Sequence, residues 1–476
     1  MRTLLIVHRY LGVVVGLVVT LWCLSGFVMM YRGYPAVTAA QRLQGLQALA
    51  LPASPAGVPD LGQARFTGFR VDMMAGRPVL RLAGREGPKI FDLAAGVPLE
   101  RIGPAGAQAE AQAYATAQGV RGRPGPAILI DQDQWTVEGA SSRGALYRMK
   151  FDDAARTVVY VAAHSGQVVQ ATDRQSRLWA WLGAVPHWLY PHVLRRHVQL
   201  WAQVVIWTSV TGLFLTVTGL YIGVARFRRT LNGRWSPYQG WRYWHHIIGL
   251  VFGLFTLTWV LSGLLSVNPW GLLESSASER VQAALTGSTP AKDVEGFLKA
   301  APKAVAPGAV SLDSASLGGR LFVIERFRDG HVMRLDGEGR RAPLGRAELA
   351  AGLATAGARA EGLELINRPD AYYYSGYDGP APLPVWKAAL TGPGGRVAYL
   401  DPISGQVRTV VDGTARASRW IRTGLHDFDF PVLSARPLWD FVVLILLAGV
   451  TVGAITGAWL AIKRVALDLS RLRRPG

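Results

Sequence analysis

The chain has 476 residues, half of them hydrophobic and only 17% charged, with 51 Lys and Arg against 32 Asp and Glu for a net charge of +19. A positive mean hydropathy with so few charges excludes a disordered tail protein and argues against an ordinary soluble enzyme, because uninterrupted apolar runs carry the excess. The arginines cluster beside those runs, which is the pattern of membrane anchoring rather than of nucleic-acid binding, and the single cysteine, Cys23, leaves no intrachain disulfide and no Cys-ligated zinc or iron–sulfur centre.

Four runs, about 10–31, 198–225, 247–267 and 438–462, have the length of ~20 residues that a helix needs to cross a bilayer. Asp440 is the only charged residue in them. Small residues around 36–40 also suit a signal-peptide ending for the first run, but its close copy deep in the chain favours a retained span. Basic residues flank the runs on one side. Arg2 and Arg9 precede the first, Arg226, Arg228, Arg229, Arg234 and Arg242 fill the connection from second to third, and Lys463, Arg464, Arg471, Arg473 and Arg474 follow the fourth. Basic residues near span ends resist translocation, so both termini are expected in the cytoplasm of a bacterial cell, with the protein in its inner membrane. In chain order the expected organisation is a first span (1–32), a periplasmic domain (33–185), an outer interfacial segment with the second span (186–225) and a basic loop (226–244). A third span (245–268), a second periplasmic domain (269–418), another interfacial segment with the fourth span (419–462) and a basic tail (463–476) complete it.

The two halves repeat. His8, Gly12, Gly16, Trp22 and Ser25-Gly26 recur 237 positions later as His245, Gly249, Gly253, Trp259 and Ser262-Gly263. Tyr160, Ser165-Gly-Gln-Val168 and His187 recur 239 positions later as Tyr399, Ser404-Gly-Gln-Val407 and His426. Each half enters and leaves the membrane on the same side, so the halves are parallel and are expected to be related by a pseudo-twofold axis along the membrane normal. The Gly-xxx-Gly pairs permit close helix packing; they also suit a flat macrocycle between helices. The long intervals read as α+β, with Ala-rich helices at 106–118 and 346–356. Hairpins are expected at 145–151 with 157–163, at 320–327 with 331–336, and at 385–391 with 396–401.

These features resemble the PepSY-associated transmembrane family, the iron-regulated membrane proteins that include ferric-siderophore reductases. The resemblance rests on His8-Arg-Tyr-Leu-Gly12 with Leu24-Ser-Gly26, on the two Tyr-x4-Ser-Gly-Gln-Val stretches, and on Gly424-Leu-His426 with Ile455-Thr-Gly-Ala-Trp459. It implies four membrane helices in two span–PepSY–span repeats, two α+β periplasmic PepSY-like domains and, in reductase members, two b-type haems. Val185-Pro-His187 departs from the family's usual Leu-His-x-Gly form.

Histidines near hydrocarbon are costly unless partnered, and a lone one is most simply an interfacial anchor. The repeat makes mates of His8 and His245 at one end and of His187 and His426 at the other, the arrangement that two bis-histidine haems b require. His246 competes with His245, and His192 and His197 compete with His187, although none of the three has a repeat counterpart. No Cys-x-x-Cys-His is present for covalent attachment. Trp179, Trp181, Trp188, Tyr190, Trp420 and Phe428 read as an interfacial belt, Tyr372–Tyr374 with Tyr377 as strand packing, and Arg177, Arg195, Arg196 and Arg419 as surface cations that also suit haem propionates or an anionic chelate. The expected function is passage of electrons across the bilayer to a periplasmic acceptor, a ferric siderophore above all. No nicotinamide or flavin fingerprint identifies the electron donor, and membrane lipid is the remaining expected partner. A haem-free scaffold whose PepSY modules bind a periplasmic peptidase is the alternative, and secondary transport the weaker third, because broken helices and buried charges are missing from the spans.

Overall fold

A computed structural model describes the chain except for residues 53–58, 85–86, 139–143, 230–232, 234, 375–379, 393, 434 and 473–476. Arg234, Tyr377, Arg473 and Arg474 therefore lie outside the described residues. The chain divides into two compact units. One gathers Met1–Tyr34, Ser176–Glu274 and Ala417–Gly476, and the other Pro35–Gln175 and Ser275–Arg416.

The first unit is built on four helices long and apolar enough to cross a membrane: Arg2–Met29, Val198–Arg226, Trp241–Ser266 and Leu438–Leu472. They form a ring in which the first and third helices each pack against the second and fourth. Hydroxyls inside the spans are satisfied within their own helix, as Ser25 on Leu21 O (2.8 Å), Thr218 on Phe214 O (2.8 Å) and Thr456 on Val452 O (2.8 Å), because hydrocarbon offers them no other partner. Gly12 and Gly16 face the fourth span, where an added methyl would stand 3.5 Å from the Cβ of Ala461 and of Ala458. Gly253 seats Leu220 of the second span, whose Cδ2 would lie 2.6 Å from a new Cβ. The Gly-xxx-Gly positions that have neighbours thus serve helix packing.

The second unit is α+β. The Ala-rich stretches form helices Pro104–Ala117 and Arg346–Thr355, and all three hairpins are present as antiparallel strand pairs. Each half has its own four-stranded sheet, Ile128–Ile130 through Val168–Thr172 and Ala360–Ile366 through Val407–Val411. The Ser-Gly-Gln-Val motif is the turn before the last strand of each. Gly166 (φ +67°) and Gly405 (φ +72°) adopt the left-handed conformation that glycine accommodates without a Cβ clash. A repeated latch closes each sheet. Tyr160 donates to Asp133 (2.8 Å) beside Arg148, and Tyr399 donates to Asp370 (2.8 Å) beside Lys387. Burial opposes the Asp370 charge, but the Lys387 ammonium, the Tyr399 hydroxyl and the N–H groups of Tyr372 and Tyr373 outweigh it and hold the carboxyl below its usual range.

The two intervals, read above as separate domains, also share one seven-stranded sheet. Strand Gly68–Met74 of the first half pairs antiparallel with Ala309–Ser314 of the second, at Val71 opposite Leu312, and hairpins continue outward on both sides. Repeat-equivalent strands meet at this centre, so neither half leaves that edge unpaired. Charges knit the junction: Asp72, 1% exposed, pairs with Arg70 (3.0 Å) and Arg81 (2.8 Å), while Asp313 pairs with Arg326 (2.9 Å) and Arg70 (3.4 Å). Asp72→Ala leaves the partly buried Arg81 without this counter-ion and is expected to cost on the order of 1–3 kcal/mol, read as an earlier thermal transition of the purified full-length protein.

Candidate histidine pairs in the helix bundle

The ends of the bundle place the repeated histidines in repeated surroundings. At the end that carries the chain termini, His8 leaves the first span and lies across Gly219 of the second. Its Nδ1 is 3.1 Å from Leu215 O and 3.4 Å from Thr218 Oγ1. His245 leaves the third span and lies across Gly457 of the fourth, with Nδ1 3.1 Å from Gly453 O and 3.3 Å from Thr456 Oγ1. The glycines are required. A Cβ at Gly219 would stand 2.7 Å from His8 Cε1, and one at Gly457 2.7 Å from His245 Cε1.

At the opposite end, His187 lies in the short helix Ala184–His187 and His426 in Leu425–Asp427. His187 Nδ1 is 3.1 Å from both Trp22 O and Ser25 Oγ of the first span. His426 Nδ1 is 3.0 Å from Ser262 Oγ of the third, and Trp259 Nε1 donates to the His426 carbonyl at 2.9 Å. The two rings face one another with centroids 6.2 Å apart and planes inclined by 64°. Two residues beyond each histidine the chain bends back through a left-handed residue without being glycine, Leu189 (φ +52°) and Phe428 (φ +53°). That costs on the order of 1–2 kcal/mol at each site. No sequence signal marks these bends; only their matched 239-residue separation does.

Hydrogen-bond logic fixes the ring chemistry. A carbonyl only accepts, so Nδ1 of His8, His187 and His245 carries the proton. Ser262 Oγ donates to Trp259 O (3.2 Å), so it accepts from His426 in the same way. Each of the four imidazoles is left with Nε2 as a lone-pair donor that has no hydrogen-bond partner among the described residues, and each ring is only partly buried. A ligating histidine has this form, its far nitrogen tied to the protein and its near one available.

The rivals differ. His246, 7% exposed, uses both nitrogens, Nδ1 with Ser236 Oγ (2.8 Å) and Nε2 with Gly223 O (2.8 Å), which pins the 226–244 connection to the second span. His197 is exposed and its Nε2 accepts from Arg196 Nε at 3.0 Å. His192 lies in the one-turn helix His192–Arg195. Tyr373 stacks on Tyr399 at 5.0 Å and donates to Pro382 O (2.9 Å), which is packing.

Four apolar spans with duplicated histidine sites, joined to α+β extramembrane domains, define a multi-pass membrane protein made of two repeated halves. A family model described as the PepSY-associated TM region matches residues 5–464, and the chain belongs to that family. No curated protein matches it.

Proposed function

We propose that the protein is an inner-membrane electron carrier that holds two b-type haems, one through His8 and His245 and one through His187 and His426. It delivers electrons to a periplasmic acceptor, a ferric siderophore taken up for iron acquisition. The repeated state of the four imidazoles carries this reading. Nδ1 is committed to the protein and Nε2 uncommitted at all four, while the competing His246 has both nitrogens in use. The donor set suits a porphyrin better than a bare ion. No group of three or more His, Cys, Asp or Glu able to hold a metal ion occurs among the described residues, whereas a haem brings four ligands of its own and asks the protein for two. The 6.2 Å between the His187 and His426 centroids also suits one iron, since two imidazole–metal bonds of ~2 Å plus the ring radii give about the same span.

Bound haem supplies reversible one-electron chemistry at its iron. The chain's part is to orient the rings and exclude water. The carbonyls of Leu215, Gly453 and Trp22 and the hydroxyl of Ser262 fix the imidazole tautomer and strengthen Nε2 as a donor. The apolar cluster of Val15, Val19, Cys23, Leu447 and Val450 keeps the bundle dry between the two ends. One-electron reduction suits iron release, because Fe(II) binds hard oxygen chelators far more weakly than Fe(III) and no bond in the chelator needs to break. The test is anaerobic. Protein purified from the membrane should show the sharp reduced α-band of low-spin haem b after dithionite, and the band should collapse as Fe(II) appears when a ferric chelate is added. A protein with no haem absorbance returns the chain to the haem-free scaffold.

A further inference from the structure

We propose that Arg195 anchors an oxyanion site on the first half of the protein and that the acceptor taken there is a net-anionic ferric chelate, one presenting carboxylate or comparable oxyanion groups. The inference rests on the electron-carrier reading for its redox role and on geometry for the site. The Arg195 guanidinium lies over two aromatic rings, 5.0 Å from the centroid of Tyr190 and 4.5 Å from that of Trp201. Its Nε and one Nη are sealed from solvent without an acceptor, so the other Nη is the one an external oxyanion meets, and no carboxylate reaches the group among the described residues. Arg195 is partly buried, a cation without a counter-ion there is costly, and the chain supplies none nearby in sequence. From Arg174 to Leu273 there is no Asp or Glu.

In the second half the cations that flank His426 in the chain have acids of their own, although neither is the repeat counterpart of Arg195, which falls on Ser434 outside the described residues. Arg419, stacked on Trp420 at 4.9 Å, is neutralised by Asp429 at 3.2 Å, and Arg436 by Asp440 at 2.6 Å. The two ends therefore differ, one supplied with acids of its own and one left open without them. The open one adjoins a histidine of the proposed pair. Tyr190 packs on Trp188 at 5.2 Å and on Trp201 at 5.3 Å, Trp201 Nε1 donates to Trp188 O at 2.9 Å, and Trp188 follows His187 directly. An anion on Arg195 is thus one aromatic layer from that histidine's neighbour. The step there is a single electron transfer: chelated Fe(III) becomes Fe(II), the reduced protein loses one electron, and no covalent bond forms or breaks.

The experiment uses full-length protein in phosphatidylcholine nanodiscs, reduced with dithionite and freed of the excess. Oxidation is followed by stopped flow against anionic ferric–EDTA and against a cationic ferric trihydroxamate. Arg195→Gln is expected to raise the half-saturating ferric–EDTA concentration about tenfold, the loss of one charged contact. The maximal rate, the haem content and the reaction with the cationic chelate should stay unchanged, and Arg195→Lys should recover part of the loss. Rising salt should slow only the anionic reaction. Equal kinetics of wild type and Arg195→Gln with ferric–EDTA overturn the proposal and leave lipid phosphate as the partner. Haem loss in Arg195→Gln overturns it in favour of a propionate contact. Calorimetry with redox-inert gallium–EDTA keeps the two readings separable. Haem-free wild type that still binds gallium–EDTA through Arg195 sinks the electron carrier and retains the anion site, and haem-loaded wild type that does not bind it does the reverse.

Discussion

His426→Ala is expected to fold, insert and retain about half of the wild-type haem, because under the proposed pairing the His8–His245 site keeps both of its ligands while the other keeps one. His8→Ala should give the same stoichiometry from the other end. Haem content of detergent-purified protein, normalised to polypeptide, measures this, and the spectrum adds a second readout: any haem remaining on His187 alone loses its low-spin α-band. Full haem retention in both variants ends the bis-histidine assignment. His246→Ala separates ligation from structure. Its ring joins Ser236 Oγ to Gly223 O at 2.8 Å each, so its removal should leave the reduced spectrum at full amplitude and show itself only as lower thermal stability.

Gly457→Ala should be as damaging to haem binding as His245→Ala, although it removes no ligand. The added methyl would meet His245 Cε1 at 2.7 Å, well inside contact distance, so the ring must turn away from Gly453 O and Thr456 Oγ1 and lose the bonds that hold its tautomer. Gly219→Ala should act on His8 in the same way. Gly12→Ala and Gly16→Ala are the controls. Their methyls would stand 3.5 Å from Ala461 and Ala458, ordinary van der Waals contact, and haem content should not change. A Gly457→Ala protein with the full complement of haem would show that the imidazole geometry seen here is not the ligating one.

Much of this was legible before the structure. Apolar runs of membrane length, the repeat and the three hairpins follow from hydropathy and from period-two alternation around turn residues, signals that are local in the chain. The shared seven-stranded sheet was not legible. Its central pair joins Val71 to Leu312, and nothing local in either strand announces so distant a partner. The left-handed bends at Leu189 and Phe428 were equally silent, because neither residue is of a type that favours that conformation.

The histidines show where the boundary falls. The sequence alone determined that His8, His187, His245 and His426 recur as repeat mates near the ends of apolar spans, since register within a repeat is a one-dimensional property. It could only rank His245 above His246 by that register. Adjacent residues on a helix point about 100° apart, so one of the two faces the fourth span and the other the second. Tertiary packing decided the chemistry: against Gly457 and Gly453 the imidazole of His245 is tied at one nitrogen alone, while against Gly223 and Ser236 that of His246 is tied at both.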